Sequence, residues 1–334
     1  MNLTVSDKQS DIFCLAPLRG VTVRVFRNAL AECFDVPDVA VTPFVASVAG
    51  EKVRSGLLAD IDPAREQRLK LIPQVIGKDA GQLRVMLRAF KDMGYKRADL
   101  NAGCPWPFVM KKGRGCGLMM DADNFAHMIE VGCEEMPCGF SVKVRLGIKS
   151  PDLLLERMEL LNQFPLREVT VHARTAEQMY DGNVLLDDFA RIAGLCRHTL
   201  VYNGDICSFQ DFEYLKHRFP FIFRWMIGRG LSVDPFLMES IHRGKQVARN
   251  PERLRRFLDL LLDASVYELA GDKQVLGRVK ELWSYLHVGL KDGKRIWNSV
   301  KICRSVDEYR RVTDGAFRRE PEFKQCLSRI KISE

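Results

Sequence analysis

Ser141-Val142-Lys143-Val144-Arg145, then Asp152–Phe164, then Val169-Thr170-Val171-His172: this stretch reads as a strand, an amphipathic helix and a second strand. The same unit recurs in both directions along the chain. Upstream candidate strands are Ile12–Ala16, Val39–Thr42, Leu71–Ile76 and Ala98–Asn101; downstream ones are Leu200–Asn203 and Phe221–Ile227. Helical patterns lie between them at Ala80–Met93, Asn124–Glu135, Leu186–Arg197 and Phe209–Phe219. Within Gly81–Met93, apolar Leu83, Met86, Leu87 and Phe90 recur at helical spacing. Eight strand-then-helix units in about 240 residues are the arithmetic of an α/β fold of the (β/α)8 TIM-barrel type. A doubly wound sheet is the competing topology.

After residue 243 the strand signal fades. Pro251 suits a first helical turn and opens Glu252–Ala264, with Leu254, Phe257, Leu258, Leu261 and Leu262 on one face. Lys273–Val288 and Asp307–Val312 also read as helical. The expected organisation is a catalytic barrel over 1–243 followed by a small all-helical domain over 244–334.

Charge divides the chain at the same place. The 334 residues carry 51 Lys and Arg against 43 Asp and Glu, a net charge of +8. Up to His242 the two signs balance at 30 each; from Arg243 onward there are 21 basic and 13 acidic residues. A neutral body with a basic appendage suggests a catalytic part and a polyanion-gripping part, although a helical tail with a solvated basic face has the same composition. A hydrophobic fraction of 46% excludes a disordered or fibrous chain. No apolar run approaches the ~18 residues of a membrane span, and Met1 to Asp11 lacks a secretory pattern. Ten Cys without CxxC spacing point to free thiols in a reducing, cytoplasmic setting. Cys133 and Cys138 have no His nearby, so no structural metal is expected.

The informative pattern lies at the strand ends. The first strand runs into Ala16-Pro17-Leu18-Arg19-Gly20. The third holds Pro73-Gln74, and the fourth ends Asp99-Leu100-Asn101-Ala102-Gly103-Cys104-Pro105. The fifth places Lys143 and Arg145 on one side, and the sixth ends His172-Ala173-Arg174-Thr175. The seventh ends Asn203-Gly204-Asp205 and the eighth Gly228-Arg229-Gly230. Barrel chemistry sits at C-terminal strand ends, with phosphate often held after strands seven and eight. Each cluster alone is a common turn or a snorkelling cation. Seven in register call for a ligand to offset the burial of Lys, Arg and His.

The set Leu15–Thr22, Asp99–Pro105, Ser141–Gly147, Val171–Thr175, Asn203–Ile206 and Met226–Gly230 resembles the tRNA-dihydrouridine synthase family, in the family's order, over residues 12–235. The resemblance implies FMN in a TIM barrel, NADPH as reductant, and reduction of uridine in folded RNA. By motif position it implies that Cys104 is the catalytic acid and that Pro17 borders the flavin ring. Gln74, Lys143 and His172 would contact the isoalloxazine or ribityl part; Asn203, Asp205, Gly228 and Arg229 would hold ribityl and phosphate. Asn101, Arg145 and Arg174 would contact uridine. RNA, most often tRNA in this family, would lie on the basic C-terminal domain, with Arg253, Arg255, Arg256, Lys291, Lys294, Arg295, Lys301, Arg304, Arg310 and Arg311 as phosphate candidates.

The residue types suit that chemistry. Reducing the C5–C6 bond of uracil needs a hydride and a proton, and a thiol of ordinary pKa ~8.5 is protonated at neutral pH. A lysine beside the flavin would stabilise developing negative charge. A buried structural thiol is the bland alternative for Cys104, and a satisfied core imidazole for His172. Cys116 lies on the Gly-rich run Gly113-Arg114-Gly115-Cys116-Gly117, expected to be a mobile loop, and reads as non-catalytic but oxidisable. Lys111 and Lys112 on it suit phosphates or solvent equally. Trp106 suits a stacked base or a hydrophobic anchor. Three positions depart from the family pattern: Arg19, Thr42-Pro43-Phe44 and the bulky Arg224-Trp225-Met226. Competing functions are a flavin enzyme acting on a free pyrimidine or other small molecule, and an RNA-binding relative without activity.

Overall fold

The computed structural model describes residues 10–324 and residue 327. The run 325–334 of the expected C-terminal domain otherwise lies outside the described residues, as do residues 1–9. Ten short strands form one parallel sheet: β1 (Ile12–Leu15), β2 (Val39–Val41), β3 (Val45–Ala46), β4 (Lys70–Ile72), β5 (Gln74–Ile76), β6 (Ala98–Ala102), β7 (Phe140–Gly147), β8 (Glu168–Thr175), β9 (Thr199–Asn203) and β10 (Arg224–Ile227). The sheet runs β3-β5-β6-β7-β8-β9-β10-β1-β2-β4. Its two ends meet in the chain itself. β2 is continued by β3, and only Pro73 separates β4 from β5. β2 pairs with β4 and β3 with β5, so ten segments close into an eight-staved barrel.

Several expected bounds shift for local reasons. Leu71–Ile76 is one stave cut in two because Pro73 has no N–H for the ladder. Phe221–Ile227 starts later, at Arg224, after a turn closed by the Ile222 N–H on the Phe219 carbonyl. The strand–helix alternation fails once. Between the second and third staves there is only a 3-10 turn, Ser55–Leu58, in a long connection. Buried Arg27 fastens that connection, donating to the Asp60 carboxylate and carbonyl at 2.9 and 2.8 Å. The Gly113–Gly117 run is not a mobile loop. It enters a 3-10 helix, Gly115–Met120, with Cys116 fully buried in the core, which shields that thiol from oxidants.

Strand parity divides the core. Outward residues such as Leu100, Val142, Val144, Val169 and Val171 pack under the helices. Inside, Cys14, Ala16, Val41, Ile72, Val201 and Met226 form a separate small apolar cluster. Most inward positions of β5 to β9 are polar: Gln74, Asp99, Asn101, Ser141, Lys143, Arg145, Thr170, His172 and Asn203, with Val201 as an apolar exception.

The C-terminal region is helical: Pro251–Glu268, Asp272–Leu286, Gly293–Ile302 and Val306–Phe317. The third of these escapes sequence pattern because its Lys-Asp-Gly-Lys start looks like a turn. Asn250 caps the first, accepting from the Arg253 N–H at 3.0 Å, with Pro251 at the first helical position. That helix packs on Arg24–Cys33, where Phe257 meets Phe26 and Phe34 edge-on at 5.7 and 5.6 Å. The second helix spans the barrel mouth, its Glu281 Cγ reaching within 3.3 Å of where a Cβ on Gly20 would stand. No helix among the described residues is long and apolar enough to cross a membrane.

Candidate active site

A cavity of about 600 Å³ opens at the C-terminal end of the barrel. Pro17, Asn101, Cys104, Lys143, Arg145 and His172 line it together. A narrower recess of about 60 Å³ adjoins it and is lined by Pro17, Lys143, His172, Asn203, Asp205, Gly228 and Arg229. Ten of the twelve sequence-predicted residues therefore converge on one mouth. The other two, Gln74 and Arg174, are buried behind its wall.

Cys104 is held by its own strand. Asn101 Oδ1 accepts from the backbone N–H of Cys104 at 2.9 Å and of Gly103 at 3.2 Å. Asn101 Nδ2 donates to Gln74 Oε1 at 2.8 Å, and Gln74 Nε2 donates to Asp99 at 2.7 Å. Ser141 Oγ donates to the other Asp99 oxygen at 2.9 Å. Fully buried Gln74 thus lies beneath Asn101 and holds its amide, a place strand parity alone does not reveal. Burial raises the Cys104 thiol pKa, outweighing the Trp106 backbone N–H and the charges of Arg145, Arg19 and Lys143. Burial likewise pushes Asp99 up to about 6 and Cys116 up to about 12.

Lys143 Nζ donates to Asn203 Oδ1 at 2.9 Å, and Asn203 Nδ2 donates to the Met226 carbonyl at 2.8 Å. Desolvation first, then Arg145, lowers Lys143 to about 8. His172 is driven well below 6.5 by burial, then by Arg145 and Lys143, so it is neutral at physiological pH. Arg174 Nη1 lies 3.4 Å from His172 Nε2. Arginine only donates, so Nε2 accepts and the imidazole proton resides on Nδ1.

Arg174 is expected to touch uridine but takes another place. It is 1% exposed and donates to the Gly182 carbonyl at 2.7 Å and the Asp205 carboxylate at 3.0 Å, with a second, shorter bond to the same group. Arg229 Nη2 donates to Asp205 Oδ1 at 2.5 Å. Asp205, at φ 46° after Gly204 at φ 149°, therefore anchors two guanidinium groups, that of Arg229 at the recess and that of Arg174 behind it.

Sequence reading misses Tyr180, which follows β8 in a segment without periodicity. Its ring lies 5.1 Å from the Arg145 guanidinium and 5.0 Å from that of Arg229. Also missed are Phe108, and Glu281 and Tyr285 from the helix over the mouth. Two departures from family pattern meet here, the Arg19 guanidinium lying 6.0 Å over the Phe44 ring.

The phosphate candidates divide. Arg253 donates to the Cys33 carbonyl and Glu239 while lying over Phe34 and Phe236 at 4.9 and 5.2 Å, so it joins the helices to the barrel. Arg255 is engaged by Asp259 and Asp314, Arg256 by Glu32 and Arg310 by Asp263. Lys291 and Arg295 make exposed pairs with Glu322 and Asp292. Exposed Lys294, Lys301, Arg304 and Arg311 have no carboxylate within ion-pair distance among the described residues.

Comparison with known proteins agrees with this geometry. The family model described as dihydrouridine synthase matches residues 14–313. A probable tRNA-dihydrouridine synthase of Staphylococcus epidermidis is 28% identical, with 90% of this chain and 92% of that protein covered. A tRNA-dihydrouridine(16) synthase of Vibrio parahaemolyticus is 25% identical over 89% of this chain and 95% of its own. A probable tRNA-dihydrouridine synthase 2 of Bacillus subtilis is 28% identical, with 90% and 93% covered. Among solved structures, a variant of morphinone reductase in complex with tetrahydroNAD superposes with a TM-score of 0.51 at 9% identity, over 72% of this chain and 89% of that one, which is a likeness of fold.

Proposed function

The chain belongs to the dihydrouridine synthase family, and from that membership we propose that it reduces uridines in RNA, most often tRNA, to 5,6-dihydrouridine. The observation that carries this reading is the convergence of Cys104, Lys143, Arg145 and His172 on one cavity at the barrel mouth. The donor set fits a flavin phosphate and ring: Arg229 at the glycine-bounded recess, and Lys143 with neutral His172 where recess and cavity join. The cavity volume lies within the ~300–1,000 Å³ range of ligand sites. Pro17, Lys143, His172, Asn203, Gly228 and Arg229 would hold FMN, with Asp205 aiming Arg229. Bound FMN would supply the hydride for uracil C6, with NADPH as its reductant.

The chain's own residues supply the rest. Cys104, protonated at neutral pH, donates its proton to C5 as a general acid. Asn101 fixes the turn that aims the thiol, and Gln74 fixes Asn101. Lys143 stabilises negative charge at the flavin edge, and Arg145 with Tyr180 walls the uracil side. A base stacked in folded RNA cannot reach this depth, so the target uridine must be extruded. Among the C-terminal candidates in the described residues, exposed Lys294, Lys301, Arg304 and Arg311 are left to hold backbone phosphate.

A dihydrouridine map of total RNA with and without the gene, joined to flavin absorbance of the purified protein, tests the proposal. The expected result is a yellow protein and loss of modification at defined uridines. A colourless protein that takes up no FMN overturns the flavin assignment. An unchanged map, with no redundant enzyme present, overturns the RNA assignment and leaves a free pyrimidine as substrate.

A further inference from the structure

The turn that carries the catalytic thiol continues as Cys104-Pro105-Trp106-Pro107-Phe108, and it displays two large rings to solvent. Trp106 is 59% exposed and Phe108 71%. Burying side chains of this size stabilises a fold, so leaving both out forgoes stability that the fold could have used. The rings are not on a loose segment. Pro105 and Pro107 restrict the backbone on either side of Trp106. The carbonyl of Trp106 accepts from Val109 and Met110 at 2.9 and 3.0 Å, and the carbonyl of Cys104 accepts from Cys116 at 3.0 Å. The turn is thus a rigid platform beside the acid: two residues of chain reach at most about 7 Å.

Charge surrounds the same platform. Lys111 and Lys112 follow after Val109 and Met110 and are exposed, and Lys112 Nζ lies 4.1 Å from the Phe108 ring centroid. Both rings line the mouth of the cavity that holds Cys104 and Arg145. Rigid aromatic faces interleaved with cations match unstacked nucleic-acid bases on a phosphate chain.

We infer that Trp106 and Phe108 form a stacking platform for the unpaired bases flanking the extruded uridine, with Lys111 and Lys112 on the phosphates between them. This rests on the RNA-reductase reading and adds to it a requirement at this surface: the bases beside the target must also be able to leave their stack. Rigidity lowers the ordering cost of capturing them.

The test uses the FMN-loaded full chain and total tRNA from a strain lacking the gene. Trp106→Ala and Phe108→Ala each raise Kd about 5- to 150-fold, the range that one stacked base supplies. Trp106→Phe restores most of the affinity. The slope of log Kd against log salt is unchanged in these variants and falls in Lys111→Ala/Lys112→Ala. Flavin content stays at the wild-type ratio. If Trp106→Ala/Phe108→Ala binds tRNA as the wild type does while the wild type reduces it, this inference alone fails. It also fails if the double variant changes oligomeric state with Kd unaltered, which would assign the rings to a second copy. A wild-type chain that neither binds nor reduces tRNA overturns both readings.

Discussion

Asn101 Oδ1 accepts hydrogen bonds from the backbone N–H groups of Cys104 and Gly103, so the strand's last inward side chain fixes the turn beyond it. The proposed acid is therefore aimed by a residue three positions earlier, and removal of the two has different effects. Cys104→Ala keeps fold and flavin but lowers turnover on RNA by about 10²–10⁴-fold, the scale of general-acid catalysis. Asn101→Ala lowers turnover and also leaves two N–H groups unpaired, at about 1–3 kcal/mol of stability. Single-turnover rates and urea midpoints measured together check the split; equal turnover of Cys104→Ala and wild type removes the acid role.

Gly115 separates positioning from chemistry. At φ 57° its missing Cβ would stand 2.6 Å from the Cys104 carbonyl oxygen and 2.8 Å from the Cys104 Cβ. Gly115→Ala must push the thiol aside, so turnover falls at least about tenfold with flavin content unchanged, because a misplacement of about 1 Å costs ~10²-fold. Rate and absorbance of the same preparation decide it.

Lys143 gives the site a pH signature. Its pKa is lowered from 10.5 to about 8. Between those values the unfolded chain holds a proton that the folded one does not, so this group makes the flavin-free protein more stable as pH rises from 8 to 10.5. At pH 7 the buried charge is a penalty, so Lys143→Met melts at a higher temperature than flavin-free wild type there, and the gap closes toward pH 10. Turnover behaves oppositely, falling in the wild type as the cation is lost at alkaline pH. Parallel melting curves for the two proteins across this range contradict the assignment.

Asp205 is the keystone of the recess. It pairs with both Arg174 and Arg229, and its side chain is 2% exposed. Asp205→Ala leaves two guanidinium groups without their carboxylate and costs about 3–5 kcal/mol, as broken buried pairs do. Arg229, more exposed at 14%, costs less when replaced by Ala but weakens flavin retention. Urea denaturation and flavin titration of the two variants should rank in opposite order.

The C-terminal arginines divide by partner. Arg253→Ala strips Glu239 and the Phe34–Phe236 pair of their cation, so it lowers stability and leaves the salt dependence of RNA binding unchanged. Lys294→Ala, Lys301→Ala, Arg304→Ala and Arg311→Ala leave stability alone, and removing each phosphate-binding cation lowers the salt slope by about 1. Binding titrations at several salt concentrations distinguish the classes.

The barrel is legible because its signals are local. A period-2 run such as Ser141–Arg145 carries its parity wherever it packs, and polar inward residues at Asn101, Lys143, His172 and Asn203 mark the ligand end. The break at Pro73 and the missing helix before the third stave are less visible, since each depends on how a segment meets its neighbours.

Sequence alone determined the repeating strand–helix unit, the family and ten residues that line the mouth, because strand alternation gives those within strands a face and motifs at the strand ends mark the others. Tertiary structure decided which of those faces meet a cavity and which meet one another. Arg174 turns to Asp205, Gln74 lies under Asn101, and Arg253 binds the barrel instead of solvent. Tyr180, Glu281 and Tyr285 enter the site from a loop and a distant helix. Such pairings join residues tens to hundreds of positions apart, and no local pattern records whether a charge will find its partner in the protein or in its substrate.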